Sequence, residues 1–492
     1  MENQENIKEK AVTGTAWKFL ERCGAQIITL IVSIIIARLL NPEDYSVVTI
    51  ILIFFAFANV LISGGLNTAL IQKKDSDEND YTIVLFASVI VSFLIYLLLF
   101  FLAPLFSIWF ESESLCLMIR IMGIVLPISA LKSVLCAYVS IHLKFKLFFF
   151  ATLIGTIVSG IIGIAMAMNG CGAWALIAQQ MSNAIIDTLI LLLTVKIKFS
   201  IKLDFKRFPS LFKFGWKVLV SSLINTAYSE TVPLIIGIRY TNSDLSYYSK
   251  GKSFPTTAEA AINDTISSVF FPVISKFQNN KEKVLKGLRL FMRLSSYLIF
   301  PVMVGMFFVS DEFVMVVLTE KWMGASIYIR IFCVSSLFSI IATGNCQAVK
   351  AIGKSDVFLI MEIIKKTLYL VIILLFLFLS NSPIYLAISA AVCSTVAILV
   401  NSFPNVFLLG YKYKQQLFDL LPNLILSLIM GGIVYLVGFI PISQWIILLL
   451  KIVIGVVTYL GLSILTKNKS YSYIIHTIKE INEAKHKKTI NQ

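Results

Sequence analysis

Arg22, Gln26, Thr29 and Ser33 stand at i, i+4, i+7 and i+11 of one otherwise apolar stretch, so a helix there carries a single polar stripe. A second set, Ser222, Asn225, Thr226, Ser229 and Glu230, makes a broad polar face that ends at Pro233. That proline has no N–H, which deprives the Ser229 carbonyl of its helical partner and predicts a kink. Further charges inside apolar runs are Arg120, Lys132, Asp187, Glu259, Asp264, Arg330, Glu362, Lys365 and Lys366. An ionisable side chain in hydrocarbon is costly unless it faces protein or water, so these positions are the candidates for chemistry. Arg120, Arg330 and Lys366 lie near the ends of their runs and read as snorkelling side chains. Lys132 is deeper, after Pro127. Cations here suit an anionic group, whereas carboxylates such as Glu230 and Asp264 suit a coupling H⁺ or Na⁺. The neutral Ser, Thr, Gln and Asn residues also fit ordinary interhelical hydrogen bonding.

The elements that position these residues are membrane helices. Of 492 residues, 58% are hydrophobic and 14% charged, and apolar runs of about 20 residues recur from end to end. Fourteen spans are predicted, from Cys23–Leu40 through Lys217–Tyr240 and Pro255–Ser275 to Gln444–Leu465. The N-terminal stretch "MENQENIKEKAVTGTAWKFLERCGAQ" has no cleavable-signal pattern, so the first helix is expected to stay. The seven cysteines include no C-x-x-C pair and read as small buried hydrophobes.

Lys and Arg collect in alternate loops. Lys73 and Lys74, Lys144 and Lys146, the group from Lys196 to Lys213, Lys276 to Lys286, Lys350 and Lys354, and Lys412 and Lys414 all fall on one side. Loops of the other side, such as "ESESLC" and "SNSP", have none. This places both termini in the cytoplasm, with Lys250 and Lys252 as the exception outside. The net charge of +15 then follows from topology and from anionic headgroups, without nucleic acid.

"IIIARLLNPEDYSVV" at Ile34 has a worn copy, "LIIGIRYTNSDLSYY", at Leu234. Trp17 and Trp216 each precede an amide by nine residues, Gln26 and Asn225; Arg38 and Asn41 pair with Arg239 and Asn242; "ALIQKKDSDEND" is echoed by "PVISKFQNNKEK". Three matches in order indicate a six-helix unit duplicated in one orientation. An even-numbered repeat returns the chain to its starting side, giving two bundles related by an axis along the membrane normal.

The phrases "WKFLERCGAQ", "ARLLNPEDYS", "ALIQKKD", "GAWALIAQQ", "KFGWKVLVSSLI", "FFPVISKFQ", "LTEKWM" and "AIGKSD" together resemble the Wzx-type flippases and polysaccharide exporters of the MOP superfamily, over nearly the whole chain. The resemblance implies an all-α membrane protein of fourteen transmembrane helices. These form an N-lobe over 1–214 and a C-lobe over 215–416, followed by two further helices over 417–466 and a basic tail over 467–492. It also implies alternating access that moves a polyprenyl-pyrophosphate-linked oligosaccharide to the outer leaflet for lipopolysaccharide or capsule synthesis. For that diphosphate the candidate contacts are Arg22 and Lys132, with Gln26, Asn225 and Ser229 beside them. Glu230 and Asp264 are the candidates for cation coupling. "NTAYSETVPLIIG" departs from relatives in pairing Glu230 with Pro233.

A bacterial plasma membrane is the expected location, with a polysaccharide polymerase and glycosyltransferases as neighbours. No cofactor is called for. The alternatives are a cation-coupled multidrug exporter of the same superfamily and a membrane-bound polymerase or acyltransferase. Enzyme signatures are thin: of three histidines, His142 lies in a basic loop and His476 and His486 in the tail, and there is no P-loop, dinucleotide fingerprint or H-E-x-x-H.

Overall fold

The structure, a computed structural model, describes residues 17, 24–63, 65–73, 76–142, 144–195, 197, 208–476 and 479. Among these there is no strand. The first unit, residues 1–246, holds α1 (Gly24–Leu39), α2 (Pro42–Ser63), α3 (Leu66–Gln72), α4 (Glu78–Trp109), α5 (Glu113–Gly123), α6 (Val125–Ile141), α7 (Phe145–Met168), α8 (Ala173–Thr194) and α9 (Phe208–Arg239). The helix α10 (Asn242–Ser275) begins in this unit and continues into the second, residues 247–492. There follow α11 (Lys281–Phe308), the single turn α12 (Ser310–Phe313), α13 (Ala325–Ala351), α14 (Ser355–Leu379), α15 (Pro383–Leu408), α16 (Tyr413–Val437) and α17 (Gln444–Leu465).

Among the described residues, ten helical stretches are long and apolar enough to cross a membrane, α5 and α6 counting as one from Glu113 to Ile141. The chain is a multi-pass membrane protein. The other predicted spans fall on α1, α9, α10 and α14. The last three carry Lys217, Glu230, Lys250, Glu259, Glu362 and Lys365 among their apolar residues. Helices that keep charges at depth are the ones with reason to face protein or water.

Small residues set the packing in both units. Along α7, Ala151, Gly155, Ser159 and Gly163 recur every four residues on its buried face, and α8 lies closely along it. Apolar solvent gives no hydrophobic drive between helices, so close approach of small residues supplies van der Waals contact instead. A Cβ on Gly155 would stand 3.2 Å from that of Asp187 on α8. In the second unit α13 packs on α15 and α11, and α11 on α16. A Cβ on Gly431 of α16 would come within 2.6 Å of both Val304 and Phe308 of α11.

The eighth predicted span is corrected at its start. Pro255 does not open it; α10 begins at Asn242, thirteen residues earlier in the numbering, and runs through that proline. Lys250 and Lys252, read from the sequence as an outer loop, are therefore helical. Lys250 is buried and its ammonium lies 6.0 Å over the Trp322 ring; that of Lys252 lies 5.8 Å over Tyr248. Cation–π contact and burial of the methylene stems give both lysines a place on the helix.

Candidate functional site

Two close contacts aim the predicted polar stripes. On α1, Val32 and Ile36 enter the surface of α7 where Gly160 and Gly163 lack side chains; a Cβ on Gly160 would meet Val32 at 2.6 Å. Docked by those residues, α1 leaves Gln26 and Thr29 exposed and Ser33 half-buried. On α9, Gly215 crosses Gly65 so closely that a Cβ on Gly65 would lie 2.4 Å from the Gly215 carbonyl oxygen. Asn225 and Ser229 are exposed further along the same helix, and Glu230 is half-buried. The Ser229 hydroxyl reaches the Thr226 carbonyl at 3.0 Å and Glu230 Oε1 at 3.3 Å. Arg22 lies outside the described residues, as does the side chain of Asp264.

Lys132 has a partner that the sequence did not announce. Its ammonium on α6 donates to Asp187 Oδ2 on α8 at 2.5 Å, with Asp187 only 2% exposed. The pair is formally neutral. An ammonium keeps three donors, so Lys132 still has hydrogens to offer an anion, but its charge is already opposed.

The second unit contains an oxygen-rich cluster that was only half visible. Glu259 on α10 accepts from Ser336 Oγ at 2.6 Å and from the Ser339 hydroxyl, both on α13. The Asn263 amide donates to Glu259 Oε1 at 3.4 Å, one turn along α10. Asn263 is 7% exposed, and its Oδ1 has no hydrogen-bond partner among the described residues. A buried lone pair without a donor is costly, and here it sits beside a carboxylate and two hydroxyls whose hydrogens can rotate away. That is a set of hard oxygen donors suited to a proton or an alkali cation. The sequence marks Glu259 by its charge within an apolar run, whereas nothing local marks Ser336 and Ser339.

Further ion pairs and polar networks join the helices of the second unit. Arg289 and Arg293, one turn apart on α11, share Asp419 of α16, with Arg289 Nε at 2.7 Å from Oδ2. Tyr411, in the connection before α16, donates to the same carboxylate at 2.8 Å. Burial pushes its phenol well above the usual range, so it remains a donor. Lys451, 4% exposed on α17, is held by Glu312 at 2.5 Å and the Phe308 carbonyl at 3.2 Å. Asn345, Ser402, Asn405 and Gln416 hydrogen-bond one another between α13, α15 and α16, and Asn405 Oδ1 is left without a partner among the described residues.

The long apolar helices and the polar side chains carried among them define a multi-pass membrane protein. The polysaccharide biosynthesis protein family model matches residues 35–327, more than half of the chain, and this chain belongs to that family. The lipopolysaccharide biosynthesis protein WzxC of Escherichia coli (strain K12) is 20% identical over 447 residues, covering 87% of this chain and 88% of its own. The fold matches the lipid II flippase MurJ in its inward closed conformation with a TM-score of 0.75 at 17% identity, over 93% of this chain and 99% of that one. A multidrug resistance MATE family transporter of the MOP superfamily, inward-facing, matches with a TM-score of 0.58 at 13% identity, over 78% and 95%. The likeness to Wzx-type exporters read from the sequence phrases is borne out.

Proposed function

We propose that this chain is a flippase that carries a polyprenyl-pyrophosphate-linked oligosaccharide from the cytoplasmic to the outer leaflet of a bacterial plasma membrane. The family match over residues 35–327 carries the reading. A polysaccharide biosynthesis protein made of membrane helices meets its glycan at the bilayer, and the glycan's lipid carrier is what brings it there. The MurJ-like fold supports the same reading. Fourteen helices in two six-helix lobes plus two, with cytoplasmic termini, give the lobes room to alternate. Arg22, Lys132, Gln26, Asn225 and Ser229 contact the diphosphate and its first sugars. The coupling cation has three carboxylates to choose from, Glu230 and Asp264 as the sequence suggested, and Glu259 with its hydroxyls and the Asn263 oxygen.

Reconstitution tests this directly. Proteoliposomes holding the purified chain and a fluorescent polyprenyl-pyrophosphate oligosaccharide should lose most of their inner-leaflet fluorescence to an impermeant quencher, whereas protein-free liposomes keep about half protected. Protection that persists in the presence of the chain, with a cationic drug transported instead, would replace this reading with multidrug export.

A further inference from the structure

We infer that the second unit carries a binding site for the phosphate headgroup of an anionic glycerophospholipid, in a cavity of about 410 Å³ among α11, α16 and the end of α17. Its charged lining is Arg293, Lys467, Lys469 and Asp419, three cations against one carboxylate, a net +2. Asp419 is shared with Arg289 as well, so the carboxylate does not cancel the guanidinium it touches. Arg293 bonds it through Nε and Nη2, which leaves Nη1 and its two hydrogens for another acceptor.

The rest of the cavity suits an acyl chain and a fixed glycerol. Phe418 and Ile425 line it and are 69% and 46% exposed, an apolar wall with no protein cover. Its polar floor is rigid: Asn468, 7% exposed, donates to Asn423 Oδ1 at 3.0 Å and accepts the Ser470 amide at 2.9 Å. Cations beside an apolar wall at a helix end are the arrangement that holds a headgroup while its chains stay in the bilayer. A water-soluble anion would have no use for the wall.

Lys467 adds an independent sign. It stands at φ +49°, where its N–H reaches Ile464 and that of Asn468 reaches Ser463. The ends of α7 and α13 have the same bond pattern and close it with Gly170 and Gly353, both at φ +74°. A side chain at that position strains the backbone, as Glu111 also does at the end of α4. At Lys467 the strain sets an ammonium on the rim of a cavity that is already cationic.

The strain also supplies a clean variant, since Lys467→Gly suits the backbone. Native mass spectrometry of the full chain in detergent, titrated with phosphatidylglycerol and phosphatidylcholine, should show preferential retention of phosphatidylglycerol. The double variant Lys467→Gly, Lys469→Gln should lose about fivefold of that preference per lysine, with an unfolding temperature no lower than the parent's. Inorganic phosphate at equal concentration should not displace the lipid. Equal retention of the two lipids, a preference that survives the double substitution, or displacement by inorganic phosphate would each overturn the assignment.

Discussion

Asp44 accepts the Asn41 amide at 3.2 Å, and Asp244 accepts the Thr241 amide at 3.3 Å. Both copies of the repeated phrase therefore break a helix and begin the next with the same carboxylate at the same spacing. The shared geometry sets the offset between copies at 200, one residue from the alignment of Asn41 with Asn242. Beyond the caps the copies part. The helix α2 carries no charge after its first turn, whereas α10 carries Lys250, Lys252 and Glu259, with Asn263 beside the last. At the shared offset, Asn59 corresponds to Glu259 and Ser63 to Asn263. Asn59 is exposed, and its backbone carbonyl receives the Ser63 hydroxyl at 2.6 Å, which any residue there would allow. Glu259 gathers three side-chain donors. A turn's backbone requirement holds the two phrases to one pattern because few residues meet it, while side-chain chemistry beyond the turn is free to differ.

The sharpest way to break this comparison is to remove the specialised group. Glu259→Gln should lower oligosaccharide movement in proteoliposomes by at least about tenfold and abolish its dependence on a H⁺ or Na⁺ gradient, since an amide neither binds a proton nor neutralises a cation. Asn59→Ala, its counterpart, should stay within about twofold of the parent, in line with ordinary surface substitutions. Equal losses from the two changes would return Glu259 to a packing role and leave Glu230 and Asp264 as the candidates for any coupling.

A smaller effect is expected from the feature the copies share. Asp44→Ala and Asp244→Ala should each cost about 1 kcal/mol of stability, because each removes the third-residue carboxylate that accepts the backbone N–H of the N-cap residue, Asn41 or Thr241, seen as a lower unfolding temperature in detergent. Similar losses at the two sites would support structural equivalence. A loss at one alone would mean that only one corner depends on its cap.

Much of this was legible in the sequence because membrane helices announce themselves by length and composition. That Gln26 and Thr29, and Asn225 and Ser229, share a helix face followed from 3.6-residue periodicity alone. What escaped were partners remote in the chain. Lys132 and Asp187 are 55 residues apart, Glu259 and Ser336 77, and Lys451 and Glu312 139. No local period connects such pairs, so Lys132 looked like an unopposed cation and Lys451 passed unnoticed within its run. The start of α10 was missed for a different reason. A hydropathy window discounts polar turns, and Pro255 then looked like a beginning, although the signal at Asp244 was the same one that opens α2.

The smallest predicted effect lies where the two corners meet. Ser243 donates its hydroxyl to the Glu43 carboxylate, and Ser246 donates to the Pro42 carbonyl, all within residues 1–246. Ser246 is buried and its bond is local to the packing, so the informative pair is the exposed one. A hydrogen bond to a charged acceptor is worth more than a neutral one, but exposure to water and salt screens this pair. A double-mutant cycle of Glu43→Gln and Ser243→Ala on thermal unfolding should therefore give a coupling of only about 0.5 kcal/mol. In transport the sign differs from that of Glu259→Gln: if the proposed flippase parts these corners during its cycle, it loses nothing by a weaker contact, so Ser243→Ala should leave the rate unchanged or raise it by at most about twofold. Zero coupling in the cycle would mean that the corners touch without holding each other. A large fall in rate would mean that the contact belongs to the working part of the cycle, and that the repeated phrase was kept for more than the shape of its turn.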